Sequence, residues 1–274
     1  PILLATGDSQ VACKLIPTVE KAMSVPSNRK NLPYFRIRYK RVLNRTEKLL
    51  NKLLPEIDVI HSMGFDLKNF SKFPNVTTLH NPIVINSRTI NERDIDYFKE
   101  RQGLNYVTIS KNQRDAYPKL NYIRVVYNGE DPEEFPLIKR PQNYVCFVGR
   151  FDRDKNPHLA IQLAVKYGIK IKLGGKIGYL GNEYFRNELR PLLNHPLVDY
   201  LGDRNKNEII ELVSKARCNL HPTGFREPFG LSVLEAAYCG TPTLAIARGS
   251  MPELIEDGKT GKIVEDFVEG FHYL

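Results

Sequence analysis

The sequence lacks any run of about 18 apolar residues of the kind that crosses a membrane, because charges interrupt every candidate. A helical membrane protein is therefore not expected. Cysteine is scarce, and the four present, Cys13, Cys146, Cys218 and Cys239, are too widely spaced for a C-x-x-C redox or metal pair. The last three fall in apolar segments, so reduced core thiols in a cytosolic protein are expected. Six histidines show neither H-E-x-x-H nor any paired spacing, which leaves a zinc site unsupported. No G-x-G-x-x-G follows an early strand, and no G-x-x-x-x-G-K-[ST] occurs anywhere, which argues against a dehydrogenase and a P-loop nucleotidase. Repeats and low-complexity tracts are missing as well. The opening residues PILLATGDSQ carry no basic, apolar leader pattern and no initiator Met, so the expectation is a chain without a signal peptide that is a fragment.

What remains is ordinary globular composition over 274 residues, 42% apolar and 26% charged, enough for two cores of roughly 130 residues each. The net charge of +9 is local. Residues 1–50 hold ten Lys or Arg against three Asp or Glu, which is +7 of it. Such a patch suits an anionic lipid surface, an acidic acceptor or nucleic acid, and does not choose among them.

Short β-rich runs alternate with helical patterns throughout, the signature of an α/β protein with parallel sheets. Strands are predicted at Ile2–Ala5, Asp58–His61, Val76–His80, Tyr106–Ser110 and Ile123–Tyr127, with helices near 34–53, 91–101 and 111–117. In the second half they are predicted at Tyr144–Gly149, Lys170–Gly174, Val198–Gly202, Cys218–His221, Thr243–Ala247 and Lys262–Val264. Residues 128–143 hold three prolines and a charge run without apolar periodicity, and read as a linker. A ligand would then lie between two domains, 1–135 and 136–274, across the carboxyl ends of the strands.

Two stretches carry the chemistry. In REPFGLSVLEAAYCGTP, Pro228 precedes a helix over about 230–239 that Gly240 and Pro242 terminate. Gly230 opens the N-terminus of that helix, where free N–H groups and the dipole favour an anion such as phosphate. Glu235 falls among Leu, Val, Ala and Cys, so its carboxylate needs either a ligand's hydroxyl pair or an internal salt bridge to a neighbouring Arg or Lys. In YVCFVGRFDRDKNP, a buried strand enters a polar loop, and Asn156-Pro157 is a good cap and first-turn pair. That loop places Arg150 and Lys155 together at a strand's carboxyl end, where a fork and a point charge suit a diphosphate, although from these residues alone a solvated loop of mixed charge is the more common explanation.

Gly149-Arg150 with Lys155, the E-x7-E pair Glu227 and Glu235 around Pro-Phe-Gly, Gly240-Thr241-Pro242, GSMPE at 249–253 and DGKTG at 257–261 together resemble the carboxyl-terminal domain of family 4 retaining glycosyltransferases, glycosyl transferases group 1. E-x7-E alone is weak, but four motifs in register over about 120 residues are specific. The first half resembles the family more loosely through DVIHS at 58–62, VTTLH at 76–80, VTIS at 107–110 and VYNG at 126–129.

The resemblance implies a GT-B fold, two Rossmann-like domains facing across a cleft, and metal-independent transfer of a sugar from a nucleotide diphosphate sugar with retention. It implies that Arg150 and Lys155 hold the diphosphate, that Glu235 accepts from the ribose hydroxyls, and that Glu227 binds the donor sugar near the reacting carbon. The N–H groups around Phe229, Gly230 and Leu231 would contact sugar and phosphate, and His80 would reach the sugar from across the cleft. No cofactor or metal is implied, only a donor such as a UDP- or GDP-sugar. The expected partners are that donor and a carbohydrate, lipid or small-molecule acceptor, with no nucleic acid. A first strand with its Gly-rich loop, which would help to form the acceptor pocket, and a terminal crossing helix are usual in the family and have no counterpart in this sequence.

Two rival readings are a metal-dependent GT-A enzyme, raised by Asp94-Ile95-Asp96 and Asp152-Arg153-Asp154, and a silent sugar-nucleotide-binding protein. The first D-x-D falls in a helical pattern, and the second is crowded by cations. Between Arg29 and Lys52, nine cations meet one acid, and Phe35, Tyr39, Val42, Leu43, Leu49, Leu50 and Leu53 recur at helical spacing. That helix is expected to pack its stripe on the first domain. The sharper alternative is contact of its cationic face with an anionic membrane or acceptor, a cytoplasmic protein peripheral at the inner face.

Overall fold

The computed structural model describes residues 1–23, 31–82, 99–101, 103–178 and 182–274. The predicted helix near 91–101 and Asp94-Ile95-Asp96 lie outside or almost outside these residues. Every strand pairing between named strands is parallel.

In the first half, β1 (Ile2–Thr6) pairs with β2 (Lys14–Val19), and β3 (Ile60–Ser62), β4 (Asn75–Leu79), β5 (Tyr106–Thr108) and β6 (Tyr122–Val125) form a separate four-stranded sheet in sequence order. Leu4 of β1 packs on the same apolar cluster that Ile60 and Tyr106 anchor in the larger sheet. Strand β2 is not among the predicted ones. Pro17 lies within it, and a two-stranded ribbon leaves the missing N–H facing away from any partner. The predicted strand Tyr106–Ser110 stops at Thr108, because Ser110 turns to cap helix α2 (Lys111–Asp115), its side chain accepting from Gln113 N.

Helix α1 (Leu32–Leu53) has Pro33 at its second position and carries the basic stripe. Of the apolar stripe, Leu50 and Leu53 are buried, Phe35, Val42, Leu43 and Leu49 are half-buried, and Tyr39 is exposed. The expected packing of the stripe therefore holds along the helix, tightest in its last turns and interrupted at Tyr39.

The second half forms one six-stranded sheet from β7 (Val145–Val148), β8 (Ile171–Gly174), β9 (Val198–Gly202), β10 (Cys218–His221), β11 (Thr243–Ile246) and β12 (Gly261–Val264). The order is β12-β11-β10-β7-β8-β9, so the winding reverses between β7 and β10. In a doubly wound sheet, the crevice outside the carboxyl ends of two such strands is where ligands bind. Helices α3 (Pro157–Lys166), α4 (Lys206–Ser214) and α5 (Leu231–Tyr238) cover the faces. Val145, Ile171, Leu173 and Leu220 fill one side with α3, and Cys146, Val213, Ala236 and Cys239 fill the other. All four cysteines are free thiols.

The linker is more firmly held than its composition predicts. Phe135 is buried and its ring stacks on Tyr238 at 5.3 Å, while Lys206 pairs with Glu130 at 3.0 Å and with Glu134. One aromatic and two acids thus pin residues 130–135 to the second domain.

Candidate donor site

The two motif loops leave the sheet at the reversal point. One follows β7 and carries Arg150 and Lys155; the other follows β10 and carries Glu227 into α5. They are laced together: Asn156 Nδ2 donates to Pro222 O at 2.9 Å, and Gly224 N donates to Asp154 O at 2.9 Å. Asn156 therefore does not cap α3 with its side chain as predicted. It stands in the left-handed region with φ of 50°, a conformation Asn tolerates, and spends its amide on the neighbouring loop.

At the centre, Lys155 Nζ donates to Glu227 Oε1, with side chains only 11% and 15% exposed. The ammonium also lies 5.3 Å from the Phe225 ring centroid. His221, at the carboxyl end of β10 and buried, places Nε2 3.0 Å from Glu227 Oε2, close but not aligned as a hydrogen bond. Oε2 has no hydrogen bond to any described residue, so this buried carboxylate oxygen remains to be answered. Burial pushes the Glu227 carboxyl up, but His221 and Lys155 together outweigh it and hold it down at about 2. The Lys155 ammonium has three N–H groups and spends one on Glu227, so a phosphate can still be engaged.

Arg150 stands at the edge of the same loop, half exposed, 2.8 Å from Asp152. The two cations are thus in different states, Lys155 buried in an ion pair and Arg150 open to a ligand.

Gly230 adopts φ 106°, ψ 68°, a left-handed conformation that turns the chain into α5, and a Cβ there would press on Met251. No side chain caps this N-terminus, which leaves its first N–H groups open. Phe229 is buried and Leu231 exposed. Behind them, Ser250 N donates to Glu227 O at 3.1 Å and Ser250 Oγ to Phe229 O, while Gly249, at φ 60°, lets its backbone touch that of Glu227 where a Cβ would collide. The GSMPE motif is thus the backrest of the loop.

Glu235, one turn on, makes no ion pair or hydrogen bond through its carboxylate with any described residue. Burial drives it up to about 7, Glu130 adding to the rise and Lys206 opposing it. Of the two motif acids it is Glu227, not Glu235, that has the internal salt bridge.

His80 lies just past β4 in the first domain and is exposed, with no hydrogen bond or ion pair to the second-domain group among the described residues. A groove of about 900 Å³ opens between the carboxyl end of β2 and α1, lined by Lys21, Arg38, Arg41 and Arg45. Sequence reasoning gave no role to His221, and it took Glu253 only as part of the GSMPE motif. The position of His221 at the carboxyl end of a central parallel strand was the available signal.

The architecture defines a two-domain α/β protein of GT-B type. Anabaena HepE, solved in complex with UDP and glucose, superposes with a TM-score of 0.71 over 95% of this chain and 75% of that one at 16% identity. The sequence profile of glycosyl transferases group 1 matches residues 130–271, just over half of the chain, and the chain belongs to that family. An uncharacterized glycosyltransferase of Methanocaldococcus jannaschii is 24% identical over 232 residues, 73% of this chain and 58% of that protein. A D-inositol 3-phosphate glycosyltransferase of Corynebacterium jeikeium is 33% identical over 136 residues, 44% of this chain and 31% of that protein. The chain thus spans less than two thirds of the length of either relative.

Proposed function

We propose that the chain is the greater part of a retaining, family 4 glycosyltransferase that moves a sugar from a nucleotide diphosphate sugar to an acceptor without a metal ion. The observation that carries this reading is the convergence of Lys155, Glu227, His221 and the uncapped α5 N-terminus where the sheet order reverses. Arg150 and two remaining N–H groups of Lys155 bind the diphosphate, with the N–H groups around Phe229, Gly230 and Leu231 completing the cradle. As the glycosidic bond to phosphate breaks, this fixed positive charge stabilises the departing diphosphate, the task a divalent ion performs elsewhere. Glu227 Oε2 accepts from a donor-sugar hydroxyl, Glu235 accepts from the ribose, and His80 contacts the sugar from the first domain.

Calorimetry with UDP- and GDP-sugars in excess EDTA tests this, and binding is expected to persist. Affinity that disappears with chelator and returns with manganese would overturn it in favour of a metal-dependent enzyme. Binding without turnover toward any acceptor would leave a silent sugar-nucleotide-binding protein.

For the acceptor side, the groove lined by Arg38, Arg41 and Arg45, none of them in an ion pair with a described acid, favours an anionic acceptor or the anionic inner face of a membrane through residues 29–52. No helix among the described residues is long and apolar enough to cross a membrane, so the contact is peripheral in this reading. Sedimentation with anionic vesicles at low and high salt tests it: salt-sensitive binding is expected, and no binding at low salt would leave a soluble acceptor.

A further inference from the structure

The five residues 249–253 touch the donor loop at one end and the other domain at the other. At Gly249 and Ser250 they hold the backbone of Glu227 and Phe229, as described above. Three residues on, in the single turn Met251–Leu254, Glu253 reaches out of the second domain. Its Oε2 accepts from Lys111 N at 2.8 Å and from the Tyr127 hydroxyl at 2.9 Å, and its Oε1 accepts from Asn112 N at 2.7 Å. Lys111 and Asn112 are the first two residues of α2, whose own cap, Ser110, serves only the third N–H, that of Gln113. The second domain therefore supplies the missing cap of a first-domain helix. Tyr127 also stands with its ring 6.2 Å from that of Phe229.

The contacts continue into the first domain. Gln113, buried, donates through Nε2 to Leu79 O and to Asn81 O, both at 2.9 Å, and accepts at Oε1 from Ile109 N at 2.9 Å. Leu79 and Asn81 are the two neighbours of His80. An unbroken series of hydrogen bonds and covalent links thus runs from the Glu227 loop through Ser250 and Glu253 to α2, and from Gln113 to the peptide groups flanking His80.

We propose that Glu253 is a positioning residue: it sets His80 of the first domain in register with the Glu227 loop of the second. This rests on the sugar-contacting role proposed for His80. A carboxylate suits the post because two oxygens must accept three donors. In Glu253→Gln, an amide NH2 replaces one acceptor and meets a backbone N–H.

Two measurements separate the relay from the function it serves. Without substrate, the backbone amide signal of His80 in the NMR spectrum of the full chain should shift in Glu253→Gln and stay in place in Glu256→Gln, which alters an exposed acid paired with Lys259. An unmoved His80 signal in Glu253→Gln would overturn the relay whatever the enzyme does. In turnover, Glu253→Gln should lower kcat/KM by about tenfold in the wild-type background and by less than about twofold in His80→Ala, since a residue acting through His80 has nothing left to position. Equal losses in both backgrounds would overturn the proposal. A His80→Ala variant as active as wild type would instead end the reading of His80, with the NMR comparison still deciding whether the relay exists.

Discussion

The Glu227 loop and the α5 turn carrying Glu235 belong to one motif, yet they solve the burial of a carboxylate in opposite ways. Glu227 is answered from within: Lys155 donates to one oxygen, His221 faces the other, and the acid is held at about 2. Glu235 is answered by no described residue and rises to about 7. The difference teaches that the same spacing yields one acid built into an internal ion pair and one acid that no described side chain pairs. Burying the second without a partner costs the free protein stability, and a ligand hydroxyl would offset that cost if Glu235 takes the ribose-binding role proposed for it.

The largest expected effect follows from breaking the internal pair. Glu227→Ala leaves Lys155 buried with no anion, and should cost about 3–5 kcal/mol in urea unfolding at pH 7. The acid lies below its ordinary value in the folded state, so its contribution is present above about pH 4.5 and is lost as pH falls toward 2. Wild type and variant should converge at the acid end. A loss under about 1 kcal/mol at pH 7 would mean that the pair is solvated and the contrast with Glu235 is false. Because Lys155 is disturbed too, Glu227→Gln is the better variant for isolating turnover.

A smaller effect is expected at the other acid, on binding rather than folding. Glu235→Ala should weaken nucleotide diphosphate binding by about ten- to a hundredfold, roughly 1.5–3 kcal/mol for a charged hydrogen bond. Equal calorimetric affinity in variant and wild type would remove Glu235 from the site. The smallest effect sharpens the comparison through pH. A carboxyl raised in the fold binds its proton more tightly folded than unfolded, so stability should decline as pH climbs from about 4.5 to 7, and Glu235→Gln should flatten that decline. Melting temperatures of the ligand-free protein across this window check the sign, which is the reverse of that for Glu227.

The second domain was legible because its strands are short apolar runs bounded by turn residues, and Val198–Gly202 and Cys218–His221 fall where the pattern puts them. Position in the sheet was not readable from any one segment. The reversal between β7 and β10, which brings Lys155 to Glu227, emerges only from pairing six strands. The first domain was read less well: Pro17 disguised β2, and Tyr39 shares the periodicity of the α1 stripe yet stays exposed. Glu253 was read only as part of GSMPE, with no role of its own, because its partners, two backbone N–H groups and a tyrosine, lie more than 120 residues away in the sequence. Lys155 was expected beside a diphosphate; its burial against Glu227 was not readable, because it depends on the two loops being tied through Asn156 and Pro222.

The four thiols give the molecule an internal chemical clock. Cys13 is partly open to solvent, whereas Cys146, Cys218 and Cys239 are sealed in the second domain, and burial pushes the Cys146 and Cys218 thiols up, away from the reactive thiolate. An alkylating reagent should therefore mark the first domain at once and the second only as fast as its core opens. Because Cys146 and Cys239 pack with Phe135 in one cluster, their labelling rate also times the release of the linker that joins the two halves.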